Sequence, residues 1–343
     1  MSAKAKIAST VAPWLLNILS CPLDGAGLTY RSDDLVCENG DTWPVIGGVP
    51  VLLRCDASPA HSAIPDTLAV AQDDRTTIEE RDSELTQADL FRWVEKHLTG
   101  THGHLYRRLR GSLTRFPIPQ ETLAEVCPPG GQPGVFLDVG SHWGRWALAA
   151  ASLGWRAVGL DPSLRAAIMG RRIAQMLSLD VAFVAGDARC LPFKPESIGI
   201  IFSYSVLQHM SRHDVGVVLR EIRRVCRRDG RVLVQMPNRF GLRQLFNAVR
   251  QRVNRDSNPF RIRYWSPREL KRTFATTIGP TSVSVDSFFS LNPRLEDLDL
   301  LPFRYAPLLW LSQGLRRLSS HRPFGAMAWI ADSLWVDSRP SPD

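Results

Sequence analysis

The stretch from Val135 to Asp161 constrains this chain more than any other. Val135-Phe-Leu-Asp-Val139 is a short apolar run that reads as a buried strand, and it breaks at Gly140 into a glycine-bearing turn. Trp146 to Leu153 follows with helical apolar spacing, and a second apolar run, Val158-Gly-Leu-Asp161, ends in a carboxylate. Strand, glycine turn, helix, strand and acid in this order are how an α/β sheet builds a nucleoside site. The turn lets backbone approach the ligand, and an acid about 20 residues on accepts the ribose hydroxyls.

Further segments follow in the same order. Val181-Ala-Phe-Val-Ala-Gly-Asp187-Ala-Arg-Cys-Leu-Pro-Phe193 reads as a third strand ending in Gly-Asp-Ala. Ile198-Gly-Ile-Ile-Phe-Ser-Tyr-Ser-Val-Leu-Gln-His209 is a fourth strand running into a turn or helix, and Leu219 to Asn238 supplies a helix, a turn at Gly230 and a fifth strand. With Asp138-Val-Gly140 at its head, the run from about 134 to 238 resembles the class I S-adenosylmethionine (SAM) methyltransferases, in particular the ubiquinone-biosynthesis-like group. His142 stands where the family's loop has its middle glycine. Histidine is among the few non-glycine residues that tolerate a left-handed backbone. The resemblance implies a Rossmann-like α/β fold with a seven-stranded sheet and helices on both faces, and SAM as cofactor. It places Asp138, Gly140, His142, Gly144, Asp161, Asp187, Ala188 and Ser203 around that cofactor, Asp187 facing the adenine amine. Tyr204 and His209 are the catalytic candidates, with His209 as base.

Leu15-Leu-Asn-Ile-Leu-Ser-Cys21-Pro-Leu-Asp24 and Leu35 to Leu53 form a separate small pattern. It resembles the Trm112-like zinc-ribbon family and implies a β-rich module over 14–54. A structural zinc site takes four close-set ligands. Cys21 and Cys37 are kept, whereas Asp24 and Gly40 occupy or flank the other two places, so the module is expected to be metal-free and held by its apolar core. Residues 55–85 read as an acidic linker, with nine acids against two arginines over 56–89. The methyltransferase domain is then 86–343. Leu90–Leu98 and Leu105–Phe116 are expected as helices capping the cofactor site, with His97, His102 and His104 at a solvated helix end. Ser266-Pro-Arg-Glu269 has the pattern of a helix start. Thr281–Phe288 and Leu334–Ser338 read as the last two strands, the second running antiparallel to the first. A basic insert (239–264) and an insertion (289–331) that includes the amphipathic segment Tyr305–Leu318 complete the chain.

The net charge of +8 conceals an asymmetry: residues 220–272 hold sixteen Lys/Arg against four Asp/Glu. Such a block attracts anionic partners. The six cysteines are scattered and suggest no disulfide framework, and no apolar run approaches the ~20 residues that span a bilayer. A cytoplasmic protein is expected. The favoured function is O-methylation of a small-molecule, sugar or lipid-linked glycan acceptor, with Arg243, Arg250, Arg252, Arg261 and Arg263 nearby to suit an anionic one. An rRNA or tRNA methyltransferase using the basic block, or a non-catalytic SAM-binding scaffold, are the alternatives. The acceptor, the methylated atom and the oligomeric state are not legible in the sequence.

Overall fold

The computed structural model describes residues 11–54, 63–72, 85–101, 105–128, 134–244, 262–291, 293–321 and 324–341. Four short strands come first: β1 (Leu28–Arg31), β2 (Asp34–Cys37), β3 (Thr42–Ile46) and β4 (Val49–Leu52). Seven more follow: β5 (Val135–Val139), β6 (Arg156–Asp161), β7 (Val181–Gly186), β8 (Ile198–Tyr204), β9 (Cys226–Pro237), β10 (Thr281–Ser287) and β11 (Ser333–Ser338). They form one sheet in the order β1-β2-β3-β4-β7-β6-β5-β8-β9-β11-β10. From β4 through β9 the neighbours are parallel, and β11 runs antiparallel between β9 and β10. Every residue of β5 is buried, as expected for a parallel strand covered on both faces. Strand order reverses beside β5, which has β6 on one side and β8 on the other. The carboxyl ends there are where an open α/β sheet binds its ligand.

The expected count of seven strands is exceeded because the N-terminal strands continue the sheet to eleven. Val49-Pro-Val-Leu52 is apolar on both faces and fully buried, and it pairs with β7 through Val51–Ala185 and Leu52–Gly186. A strand with two apolar faces has no stable place at the edge of a separate module. Leu15, Leu19, Leu28, Leu35 and Trp43 accordingly pack into the same core as Leu137, Val158, Val184 and Phe193.

The helices are α1 (Pro13–Ile18), α2 (Ala63–Gln72), α3 (Gln87–Thr101), α4 (Gln120–Val126), α5 (Arg145–Ser152), α6 (Leu164–Met176), α7 (Arg212–Val225), α8 (Pro267–Thr277) and α9 (Ala306–Ser319). The segment expected as a linker contains α2, which docks by Thr67: its hydroxyl donates to the Pro162 carbonyl (2.7 Å) and accepts from the Leu164 amide (3.0 Å). Leu105–Phe116 does not form the expected helix. One 3-10 turn (Tyr106–Arg108) is followed by Gly111 at φ 142°, a conformation that ends helical winding. The start read at Ser266 is present as a full capping box with Glu269. Of the basic insert, 245–261 lie outside the described residues, as do His102 and His104. No helix among the described residues is long and apolar enough to cross a membrane.

Candidate active site

The turn after β5 is built on left-handed backbone at Gly140 (φ 76°), His142 (φ 51°) and Gly144 (φ 81°). A Cβ on Gly140 would fall 2.3 Å from the Val206 side chain, and one on Gly144 would fall 2.5 Å from the Phe183 ring, so both positions need glycine. The amides of Gly140 and Ser141 donate to the Leu160 carbonyl at 2.8 and 3.0 Å, tying the turn to the end of β6. Asp161 completes that tie. Its Oδ2 accepts from the His142 amide (2.8 Å) and its Oδ1 from the Ser163 amide (2.9 Å). A carboxylate at this place is the one an α/β nucleoside site offers to the ribose hydroxyls. This turn and acid fit SAM's nucleoside end.

The His142 ring leaves the turn toward α3. It stacks on Trp93 (centroids 5.3 Å, 19°) and lies 4.9 Å from His97, which itself stacks on Trp93 at 3.9 Å. The expectation of a solvated helix end at His97 is therefore corrected. His97 is half-buried, and its Nδ1 is 2.7 Å from the Trp93 carbonyl. The Leu90–Leu98 helix does cap the turn, and Trp93 is the residue that sequence reasoning did not single out.

Three expected cofactor contacts have side chains engaged elsewhere. Asp138 is buried, and its Oδ2 accepts from the Ala147 amide at 3.1 Å, holding the first turn of α5 in place. Ser203, fully buried, donates to the Val139 carbonyl (2.9 Å) and ties β8 to β5. Asp187 is paired with Arg189 at 2.6 Å, so an adenine amine would have to compete with a guanidinium. Ala188 is buried beside it.

Burial pushes the Asp138 carboxyl up to about 8; the Asp161 charge adds to the rise, and the Ala147 amide opposes it. A carboxyl whose pKa is higher in the fold than in the unfolded chain favours folding most at low pH. Its contribution is complete below about 4 and is lost as pH rises toward about 8. Asp138→Asn is expected to flatten the stability profile over that window, with its largest relative gain at the alkaline end. Urea unfolding at a series of pH values checks this, and an unchanged profile in the variant would contradict it.

Tyr204 ends β8 in a buried polar cluster. Its hydroxyl donates to Asp286 Oδ2 (3.2 Å) and accepts from Arg294 (2.7 Å), and Arg294 also pairs with Asp286 Oδ1 at 2.7 Å. Ser333 donates to the same Asp286 at 2.6 Å. A second buried pair, Arg145–Asp297 at 3.0 Å, is bridged by Tyr106, which donates to Asp297 at 2.7 Å. Burial raises the Tyr204 phenol well above its ordinary pKa. Tyr204, expected as a catalytic candidate, has its hydroxyl hydrogen-bonded on both sides, an arrangement that positions the end of β8. None of these acid and arginine partners was singled out in the sequence. Arg294 and Asp297 belong to the 289–331 insertion, which is thereby part of the site's wall.

His209 lies in a short turn (Leu207–His209) directly after β8 and is half-exposed. Its amide donates to the Val206 carbonyl (3.0 Å), and Val206 is the residue packed on Gly140. Its carbonyl accepts from the Arg263 guanidinium at 2.6 Å, and the Gln208 carbonyl accepts from the Arg263 amide at 2.8 Å. Arg263, expected to gather an anionic acceptor, instead pins the His209 turn. Its companions Arg250, Arg252 and Arg261 lie outside the described residues, and Arg243 donates its amide to Asp332 at 2.8 Å. The His209 Nε2 is 3.1 Å from the Gln208 side-chain nitrogen. Which of the two nitrogens donates in that contact depends on the ring's tautomer.

At the N-terminal end, donor atoms of Cys21, Asp24, Cys37 and Asp41 lie within 4.8 Å of one another. The Cys37 thiol donates to Asp24 (3.5 Å) and the Cys21 thiol to Asp41 (3.9 Å). The expectation of no metal counted two thiols and one carboxylate, and the fold adds Asp41. Two sulfurs and two oxygens so placed fit a tetrahedral divalent cation, whose role there would be to cross-link two turns. The module's core is continuous with that of the large sheet. Chelator-treated protein is accordingly expected to keep its far-UV spectrum and to melt within a few degrees of zinc-supplied protein. Unfolding of the chain on chelation would contradict this.

Residues 137–234 match the methyltransferase domain family. This match supports a SAM-dependent methyltransferase domain of the class I type, with SAM as its cofactor. No curated protein sequence matches it significantly. Among solved structures, the PH0226 protein of Pyrococcus horikoshii is 24% identical over 38% of this chain, with a TM-score of 0.33, and the match spans 56% of that protein. A Thermotoga maritima SAM-dependent methyltransferase described as a possible histamine N-methyltransferase is 18% identical, covering 66% of this chain and 91% of its own (TM-score 0.44). A methyltransferase structure in complex with the Haloferax volcanii Trm112 activator is 17% identical, covering 75% and 99% (TM-score 0.45).

Proposed function

We propose that this chain transfers the SAM methyl group to an oxygen of a small-molecule, sugar or lipid-linked glycan acceptor, with His209 removing the acceptor's proton. The observation that carries the reading is the placement of His209. Its turn follows β8 at the same sheet ends as the Gly140 turn, Val206 of that turn packs on Gly140, and Arg263 pins its backbone. SAM, when bound, supplies a methyl group on a sulfonium that is open to direct displacement. The protein's share is alignment and proton removal. Fixing two reactants in line contributes roughly 7–11 kcal/mol, and a positioned base about 10²–10⁴-fold. An acceptor hydroxyl displaces the Gln208 amide from Nε2 and gives its proton there as the oxygen takes the methyl group. Asp161 holds the ribose, and the α3 residues Trp93 and His97 shield the turn from water.

The nucleic-acid alternative draws on the basic block, and much of that block is already committed. Arg224 pairs with Glu221 at 2.7 Å and donates to the Leu191 and Phe193 carbonyls. Arg227 pairs with Asp229, Arg228 with Glu196 and Arg231 with Asp337, all within 2.9 Å. The test is incubation with labelled SAM and separate RNA, lipid–glycan and small-molecule fractions. Label in a glycan or small molecule, stable to conditions that cleave methyl esters, supports the proposal. Label in RNA, bound with an affinity that falls steeply with salt, overturns it. SAM binding with no label transferred to any fraction would favour the scaffold.

A further inference from the structure

The insertion has an unusual outer face. In α9 the inward residues Leu309 and Ser312 are buried, and the Ser312 hydroxyl accepts from the Phe288 amide at 3.1 Å just past β10. The outward stripe is apolar as well. Phe303 is 86% exposed, Trp310 56%, Leu311 52% and Leu318 40%, with Pro307 and Gly314 exposed between them. These positions recur at three- and four-residue steps along one helix face. A second group lies where the insertion returns to the sheet. Ile330, Phe240, Leu242 and Ile262 are each about two-fifths exposed, with Phe240 against Trp329 at 5.9 Å and Arg268 over the Trp329 ring at 5.0 Å.

The insertion's own charges here have one sign. From Phe303 to Ala331 the sequence carries four arginines and no Asp or Glu. Arg304 and Arg317 are exposed beside the stripe. The acid that faces this end of α9 is Glu125 of α4, paired with Arg316 and 3.7 Å from Arg317. Exposed Trp, Phe and Leu on one face of a helix with arginines beside them is the composition of a helix that lies in a membrane interface. At ~1.5 Å per residue α9 is too short to span a bilayer but long enough to lie along its surface.

We propose that this face docks the enzyme on a bilayer surface rich in anionic phospholipid. Phe303, Trp310, Leu311 and Leu318 enter the acyl boundary, and Arg304 and Arg317 meet the headgroups. The same insertion reaches the end of β8 through the Arg294–Tyr204 hydrogen bond. The inference goes beyond the methyl acceptor and does not depend on its identity.

The test needs no turnover. The full-length protein is sedimented with phosphatidylcholine vesicles and with vesicles containing phosphatidylglycerol. It is expected to pellet with the anionic vesicles, and less so as salt is raised. The Trp310→Asp/Leu311→Asp double variant, whose side chains face solvent, should keep the wild-type far-UV spectrum and melting point and bind at least about ten-fold more weakly. Charge-reversed Arg304→Glu should also weaken binding. Wild-type protein that stays in the supernatant, or a double variant that folds and pellets like wild type, overturns the proposal. So does a wild-type dimer in sedimentation equilibrium that the double variant converts to monomer, because a second copy would then cover this face.

Discussion

Replacing His209 by alanine is expected to lower turnover by about two to four orders of magnitude, the share a positioned base supplies, and to leave SAM affinity in place. The side chain is half-exposed, and the turn that carries it is held by backbone bonds to Val206 and Arg263, so the substitution leaves the turn's frame standing. The wild-type rate is expected to fall as the solution becomes acidic and the imidazole takes up a proton, and the residual rate of the variant should lose that dependence. Single-turnover kinetics with the accepted substrate, together with SAM titration, separate the two effects. Full activity in His209→Ala would remove the base, and with it the argument for an oxygen acceptor.

Arg294→Ala is expected to destabilise the fold by about 3–5 kcal/mol, the cost of leaving a buried carboxylate without its cation. Arg294 and Asp286 are almost wholly buried and 2.7 Å apart, and Tyr204 and Ser333 complete the cluster. Removing the guanidinium leaves Asp286 charged beside two hydroxyls. The surface pair Arg92–Asp89, at 2.6 Å, gives the comparison: it stands in solvent, and Arg92→Ala should have a far smaller effect. Urea unfolding with an unchanged slope measures both. A joint Arg294→Met/Asp286→Leu change should recover much of the loss, since apolar replacements of a buried pair are often close to neutral. Equal, small effects at Arg294 and Arg92 would contradict the account of the insertion as part of the site's wall.

The elements legible in the sequence are those fixed by local rules. The run Val135–Asp161 carries its own strand, turn, helix and acid, and each stands where its periodicity put it. The Ser266 cap was readable because a capping box involves four consecutive residues. The antiparallel return at Leu334–Ser338 followed from the resemblance to the family's sheet, and β11 does pair antiparallel with β10. What was not legible depends on partners distant in sequence. Val49–Leu52 reads as a strand, but nothing local names β7 as its neighbour. Arg145 and Asp297 are far apart along the chain, and Arg294 looks like any surface arginine until the insertion folds back on β8. Asp41 was missed because it stands one residue past the place where a ribbon's last ligand would be sought. The Leu105–Phe116 helix fails because the backbone turns extended at Leu109, and Gly111 follows at φ 142°.

The central claim is that SAM sits on the Gly140 turn with its ribose on Asp161. Calorimetric titration of SAM into wild type and Asp161→Ala tests it most directly. The variant should bind SAM more weakly by roughly 1.5–3 kcal/mol, the value of charge-assisted hydrogen bonds to one carboxylate. Its far-UV spectrum should match that of wild type. An unchanged affinity in folded Asp161→Ala would contradict the claim and remove this carboxylate from the site.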